Sequence, residues 1–121
     1  MAISRTQGVV AISSQSVAAG GSVQSAAVTM GNTNFMAGVY GTITNGASAP
    51  TTPMRIALEV NNGSGWVDTG YGAVGGIQVS TAYPFSFQVP ITAFQWRINA
   101  LGHAGNAVTV VGYYDLLVTP Q

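Results

Sequence analysis

The chain has 121 residues, zero net charge and six charged side chains: Arg5, Arg55 and Arg97 against Glu59, Asp68 and Asp115, with no lysine and no cysteine. A domain of this length ordinarily carries about 30 charges, and the neutral balance removes the attraction on which nucleic-acid binding rests, so no nucleic-acid partner is expected. Disulfides are excluded, and no apolar run approaches the roughly 20 residues of a membrane-spanning helix, so no membrane role is expected either.

The length fits one domain, with residues 31–121 as its body. Residues 1–19 lack the charged start and continuous apolar run of a secretion signal and read as mature protein. Fifteen Val, seven Ile and twelve Thr against four Leu and one Glu favour strands throughout, and 16 Gly and five Pro supply turns. A transmembrane barrel of eight spanning strands would strain this length.

Residues 1–30, of which Ala11 to Met30 are rich in Ser, Ala, Gln and Val, are expected as either edge strands, hinged at Gly20 and Gly21, or an extended arm ordered only against a neighbour. Phe35, Ala37, Val39, Gly41 and Ile43 alternate with Met36, Gly38, Tyr40 and Thr42 in a half-buried strand that ends at Asn45-Gly46. A loop fixed by Pro50 and Pro53 follows. Met54, Ile56, Leu58 and Val60 alternate with Arg55, Ala57 and Glu59, so one face is core and the other is wet. Asn61 to Gly65 is a hairpin connection, and Trp66 to Thr69 returns as the partner strand.

Gly70 to Gly76 reads as a glycine-rich loop leading into Ile77 to Ser80. Phe85, Phe87 and Val89 define the next strand, which Pro90 ends; Phe94, Trp96, Ile98 and Ala100 define another, leading to a turn at Gly102 to Asn106. The final strand, Ala107 to Thr119, is apolar on both faces, as suits a central strand or one lying under a partner. Seven to nine such strands predict an all-β antiparallel sandwich, jelly-roll-like or, as the alternative, immunoglobulin-like.

No enzyme signature is present. His103 is the sole histidine, in a glycine-flanked turn, and no serine sits in a nucleophile-elbow context, so no catalytic residue is assigned. The Gly70 to Gly76 run lacks the lysine and following helix of a phosphate loop. Asn61, Asn62 and Asp68 offer calcium-type oxygens, but one carboxylate makes a plain turn the better reading; no metal and no cofactor is expected. Asn62-Gly63-Ser64 fits the glycosylation pattern and also reads as a turn.

A folded chain of this mass exposes roughly 6,000 Å², or about one charge per 1,000 Å². A surface so poor in charge is suited to being covered by partners or by copies of itself, here a dimer or trimer. Trp66, Tyr71 and Tyr83 flank loops and are candidates for subunit contacts or, alternatively, for stacking on a sugar; Trp96 alternates in phase with Phe94 and Ile98 and belongs to the core. Arg55 with Glu59, and Arg97 with Asp115, are expected to form two ion pairs that set register at an interface.

The segments Met54 to Gly70, with its Asn-Asn-Gly-Ser-Gly turn and Trp-Val-Asp, and Phe85 to Val111, with Phe-Gln-Trp-Arg-Ile-Asn-Ala-Leu-Gly-His, cover about half the chain. With the charge-poor Ala/Gly/Ser/Thr/Val composition, they resemble small structural proteins of tailed-bacteriophage particles. The closest resemblance is to capsid decoration or cement proteins, some of which are jelly-roll sandwiches assembled on the capsid lattice. The resemblance implies a non-enzymatic protein on the virion surface, made in the host cytoplasm. Its implied partners are the major capsid protein or other virion proteins, contacted through edge strands and the N-terminal residues. A carbohydrate- or receptor-binding module of a tail or head fibre, or another neck or tail protein, is the alternative. The resemblance carries over no individual functional residue.

Overall fold

A computed structural model describes residues 4–30, 34–48, 50–91, 95–102 and 106–119. His103 and Phe94 lie outside the described residues. The described chain holds nine strands: β1 (Ser4–Val17), β2 (Ser22–Gln24), β3 (Val28–Thr29), β4 (Asn34–Asn45), β5 (Arg55–Asn61), β6 (Trp66–Val74), β7 (Ala82–Ile91), β8 (Gln95–Leu101) and β9 (Val108–Thr119).

All pairings are antiparallel and fall into two sheets, one ordered β1-β9-β4-β7 and the other β2-β8-β5-β6, with β3 also on β8. Because β2 and β3 both pair with β8, they act as two pieces of one strand. The first strand then pairs with the last, the second with the next to last, and so inward to the β5-β6 hairpin. This wrapped-hairpin order is that of a jelly roll, and it excludes the immunoglobulin-like alternative.

Side-chain alternation fills the space between the sheets. Ala37, Val39 and Ile43 of β4, Phe85 and Val89 of β7, and Val108, Val110 and Leu116 of β9 face Ile56, Leu58, Trp96, Ile98 and Ala100 from the other sheet. Trp96 is fully buried and meets the Tyr114 ring edge-on, 5.0 Å between centroids, which joins the two sheets. The β9 strand, apolar on both faces in sequence, is central between β1 and β4.

Two expected boundaries differ. The glycine run expected as a loop instead extends β6 to Val74. Gly72 crosses so close to β5 that a Cβ there would meet the Ile56 carbonyl oxygen, so glycine is what lets the strands pair. Strand β7 runs past Pro90 to Ile91, because β7 is an edge strand whose outer backbone needs no donor.

Asn45 closes one end of the sandwich. Its buried amide nitrogen donates to the carbonyls of Gly76 and Gln78, both at 2.9 Å, and so pins the β6-β7 connection beneath the end of β4.

Glycine tolerance should divide sharply along β4. A Cβ at Gly41 would strike the Val111 carbonyl and crowd Phe85, whereas one at Gly38 meets open space. We expect Gly41→Ala to cost more than about 2 kcal/mol in urea unfolding and Gly38→Ala less than about 0.5 kcal/mol. Equal effects would contradict the packing described.

Candidate functional site

The two outer faces of the sandwich differ in chemistry. The outer face of β2-β8-β5-β6 carries four of the six charges, Arg55, Glu59, Asp68 and Arg97, in an ordered polar ladder. The Arg97 guanidinium lies 4.3 Å from the centroid of the Trp66 ring, and its Nε donates to Glu59 Oε1 at 2.8 Å. The other Glu59 oxygen accepts from Asn99 Nδ2 at 3.2 Å, and Asn99 Oδ1 accepts from Gln24 Nε2 at 3.1 Å. Gln24 then reaches the Ser22 hydroxyl. The ladder therefore ties all four strands of that sheet path, from the first residues of β6 to β2.

Arg55 forms a second, bidentate pair with Asp68, at 2.6 and 3.1 Å. Asp68 is positioned by a bulge: Glu59 sits opposite Asp68 and Ala57 opposite Gly72, so β6 carries two more residues than β5 between these points. Gly70, at φ +86°, turns the bulge, and its N–H donates to Asp68 Oδ1 at 2.8 Å. The Arg55 hydrogen bonds, then this backbone donor, hold the Asp68 carboxyl below the usual carboxylate range.

The expected partners are thus corrected. Arg55 pairs with Asp68, Arg97 pairs with Glu59, and Asp115 pairs with neither arginine. Arg55 and Glu59 share a face of β5 but stand about 13 Å apart along an extended strand, whereas cross-strand neighbours lie about 5 Å apart. Glu59 is directly opposite Arg97 in the β5-β8 register. Arg97 and Asp115 lie on strands of different sheets. Asp115 instead accepts from the Gly8 N–H at 2.6 Å, steadying a break in the β1-β9 register where Gly8 takes φ +65°. Partial burial, then the charge and hydrogen bond of Asp115, raise the Tyr40 phenol.

The aromatic candidates do not form one platform. Trp66 is half-buried under Arg97. Tyr83 packs its ring over Gly76, and its hydroxyl accepts from the Gln78 N–H at 3.1 Å, so it holds a connecting segment. Tyr71 alone is open, half exposed beside the β6 bulge. At the hairpin, Asn61 Oδ1 accepts from the N–H groups of Gly63 and Gly65, and the Asp68 oxygens are engaged as above. Among the described residues no three His, Cys, Asp or Glu side chains gather in a possible metal site.

The opposite outer face, on β1-β9-β4-β7, was not visible as a unit in the sequence. Register places Arg5, Leu117, Met36 and Pro90 in one row, Asp115, Gly38 and Gln88 in the next, and Tyr113 and Tyr40 beyond them. The two tyrosine rings stack, 5.6 Å between centroids. Where Gly38 lacks a side chain, a dimple of about 260 Å³ opens between Met36, Leu117, Gln88, Asp115 and Arg5. Alternation along single strands gave the residues of this face; only the pairing order could show them side by side.

Two substitutions separate the ion pairs. Arg97→Ala leaves the largely buried Glu59 with Asn99 as its remaining partner and should cost about 1–3 kcal/mol in urea unfolding. For Asp68 the folded carboxyl titrates below its unfolded value of about 3.9, so its contribution is complete above that value and is lost as pH falls through the folded one. Wild type and Asp68→Asn should therefore differ in stability at pH 6 and converge towards pH 2; a constant gap would contradict the pairing.

No protein-family model and no curated protein matches the sequence. Solved structures do match the fold. The structure of the Gx strain of infectious bursal disease virus aligns with TM-score 0.66 at 11% identity, over 98% of this chain and 32% of that one. The VP2 subviral particle of the same virus aligns with TM-score 0.55 at 13% identity, over 98% and 33%. Its T13 viral particle aligns with TM-score 0.53 at 10% identity, over 98% and 40%. The chain thus spans about a third of the length of the chains it resembles, and at these identities the likeness is one of fold: a jelly-roll sandwich also found in chains of virus particles.

Proposed function

We propose that this protein is a non-enzymatic structural component of a virus particle, and that it acts as a decoration or cement protein on the outer capsid lattice of a tailed bacteriophage. The observation that carries the reading is the jelly roll itself, aligned over nearly its whole length with chains of virus particles, in a molecule whose charges are almost cancelled within the chain. Four of six charges are paired across strands, and the fifth, Asp115, holds a backbone N–H. Such a surface gains little from long-range steering and is suited to close, uncharged contact with capsid subunits or with its own copies. Many weak sites on a lattice act together, so modest affinity per copy suffices.

The carbohydrate- or receptor-binding alternative loses support from the separation of Trp66, Tyr71 and Tyr83, of which only Tyr71 offers an open ring.

Capsids purified with and without the chain test the proposal directly. Those carrying it should resist mechanical and thermal rupture better, at hundreds of copies per particle. Moderate salt should not release the protein, because neutral contacts are weakly screened. Equal resistance, about three to twelve copies, or release by salt alone would overturn the cement reading.

A further inference from the structure

The outer face of β1-β9-β4-β7 and the edges around it point to one mode of association. Edge strands commonly recruit partners by strand addition, yet the long edges here are interrupted. Strand β7 carries Pro84 and Pro90, β1 shifts register three times, and β6 is broken by the bulge at Gly70. The outer face of the other sheet is occupied by its own polar ladder. Among the described residues the exposed large apolar side chains fall in two places: Val67, Tyr71, Val74, Ile77 and Val79 lie along the edge strand β6 and the β6-β7 connection, whereas Val10, Met36 and Leu117, 56%, 42% and 42% exposed, lie around the Tyr40-Tyr113 stack on a broad face that spans four paired strands.

We infer that this face docks against the same face of a second copy of the chain, sheet on sheet, in a two-fold symmetric dimer. Two quantities favour a second copy over another partner. At the usual strand spacing and rise, four strands over the ten paired rows of β4 and β7 present roughly 600 Å² per copy, or about 1,200 Å² for the pair, the lower bound of a standard stable interface. The face also carries one cation and one anion, Arg5 and Asp115, on the rim and wall of the same dimple, and Arg5 has no acidic partner among the described residues. A self-pairing face must be electrically balanced against itself, and this one is. A strongly acidic or basic partner would find no complement here. In a two-fold contact every residue acts twice, so each copy offers its dimple and exposed Leu117 and Met36 side chains to the other.

The inference stands on the face and does not depend on the virus-particle reading. Sedimentation velocity of the full chain across micromolar concentrations is the test, with circular dichroism and thermal melting confirming that each variant is folded. Wild type should sediment as a dimer. Leu117→Asp and Met36→Asp, both at exposed positions, should weaken the dimer by roughly 1,000-fold, since each removes a contact of about 30-fold twice over. Val74→Asp, on the other sheet and 64% exposed, should leave it unchanged. A monomeric wild type, a folded Leu117→Asp and Met36→Asp pair that still dimerise, or dissociation by Val74→Asp would overturn the inference. A dimer that leaves capsid rupture unchanged would sink the cement reading and leave this one intact.

Discussion

The structure depends on keeping two sheets apart at the spacing that one tryptophan requires. Trp96 lies fully buried between them, edge-on to Tyr114 of the opposite sheet. Glycines then serve the opposite need, close approach: Gly41 passes under the Val111 carbonyl and Gly72 over that of Ile56. Large and absent side chains together set the distances within and between sheets. Once those distances are fixed, so are the rows of residues on the outer faces, and with them the polar ladder, the dimple and the tyrosine stack.

Charge follows from the same pairing order. In a chain with six charged side chains, each placement matters. Strand β5, running between β6 and β8, brings Glu59 level with Asp68 on one side and Arg97 on the other, and Arg55 reaches the acid that Arg97 does not. On one outer face the four charges are thereby paired with one another. The other presents Val10, Met36 and Leu117 around the tyrosine stack, with a single cation and a single anion, Arg5 and Asp115.

Much of the fold was legible because period-two alternation is a local property. Met54, Ile56 and Leu58 pointed inward as their spacing required, as did Phe85, Phe87 and Val89, and the Asn61 to Gly65 turn joined the strands it separates. The class, an antiparallel sandwich, followed from strand number and turn chemistry, whereas the choice of jelly-roll over immunoglobulin-like order rests on the pairing of the strands. The ion pairs were not legible, because they depend on lateral register between residues far apart in sequence, such as Glu59 and Arg97. Nor was the extension of β6 through Gly70 and Gly72 to Val74, since glycine signals freedom locally while here it serves contact with a neighbouring strand. The apolar face was hidden for the first reason: Arg5, Met36, Gln88 and Leu117 become neighbours only through pairing order.

The pairing of β1 with β9 also bears on how the molecule comes to be folded. Ser4 pairs with Val118 and Val17 with Val108, so β1 finds its in-sheet partner only after all seven intervening strands have been made. Contacts of such long sequence separation make for slow, millisecond-to-second folding and leave early segments waiting without their partners. The serines and glutamines of β1, among them Gln7, Ser13, Ser14, Gln15 and Ser16, confine its apolar run to the four residues from Val9 to Ile12, shorter than the roughly six or seven typical of aggregating segments. Its weak alternation, unhelpful for recognising a strand, suits a segment that must stay in solution until β9 arrives.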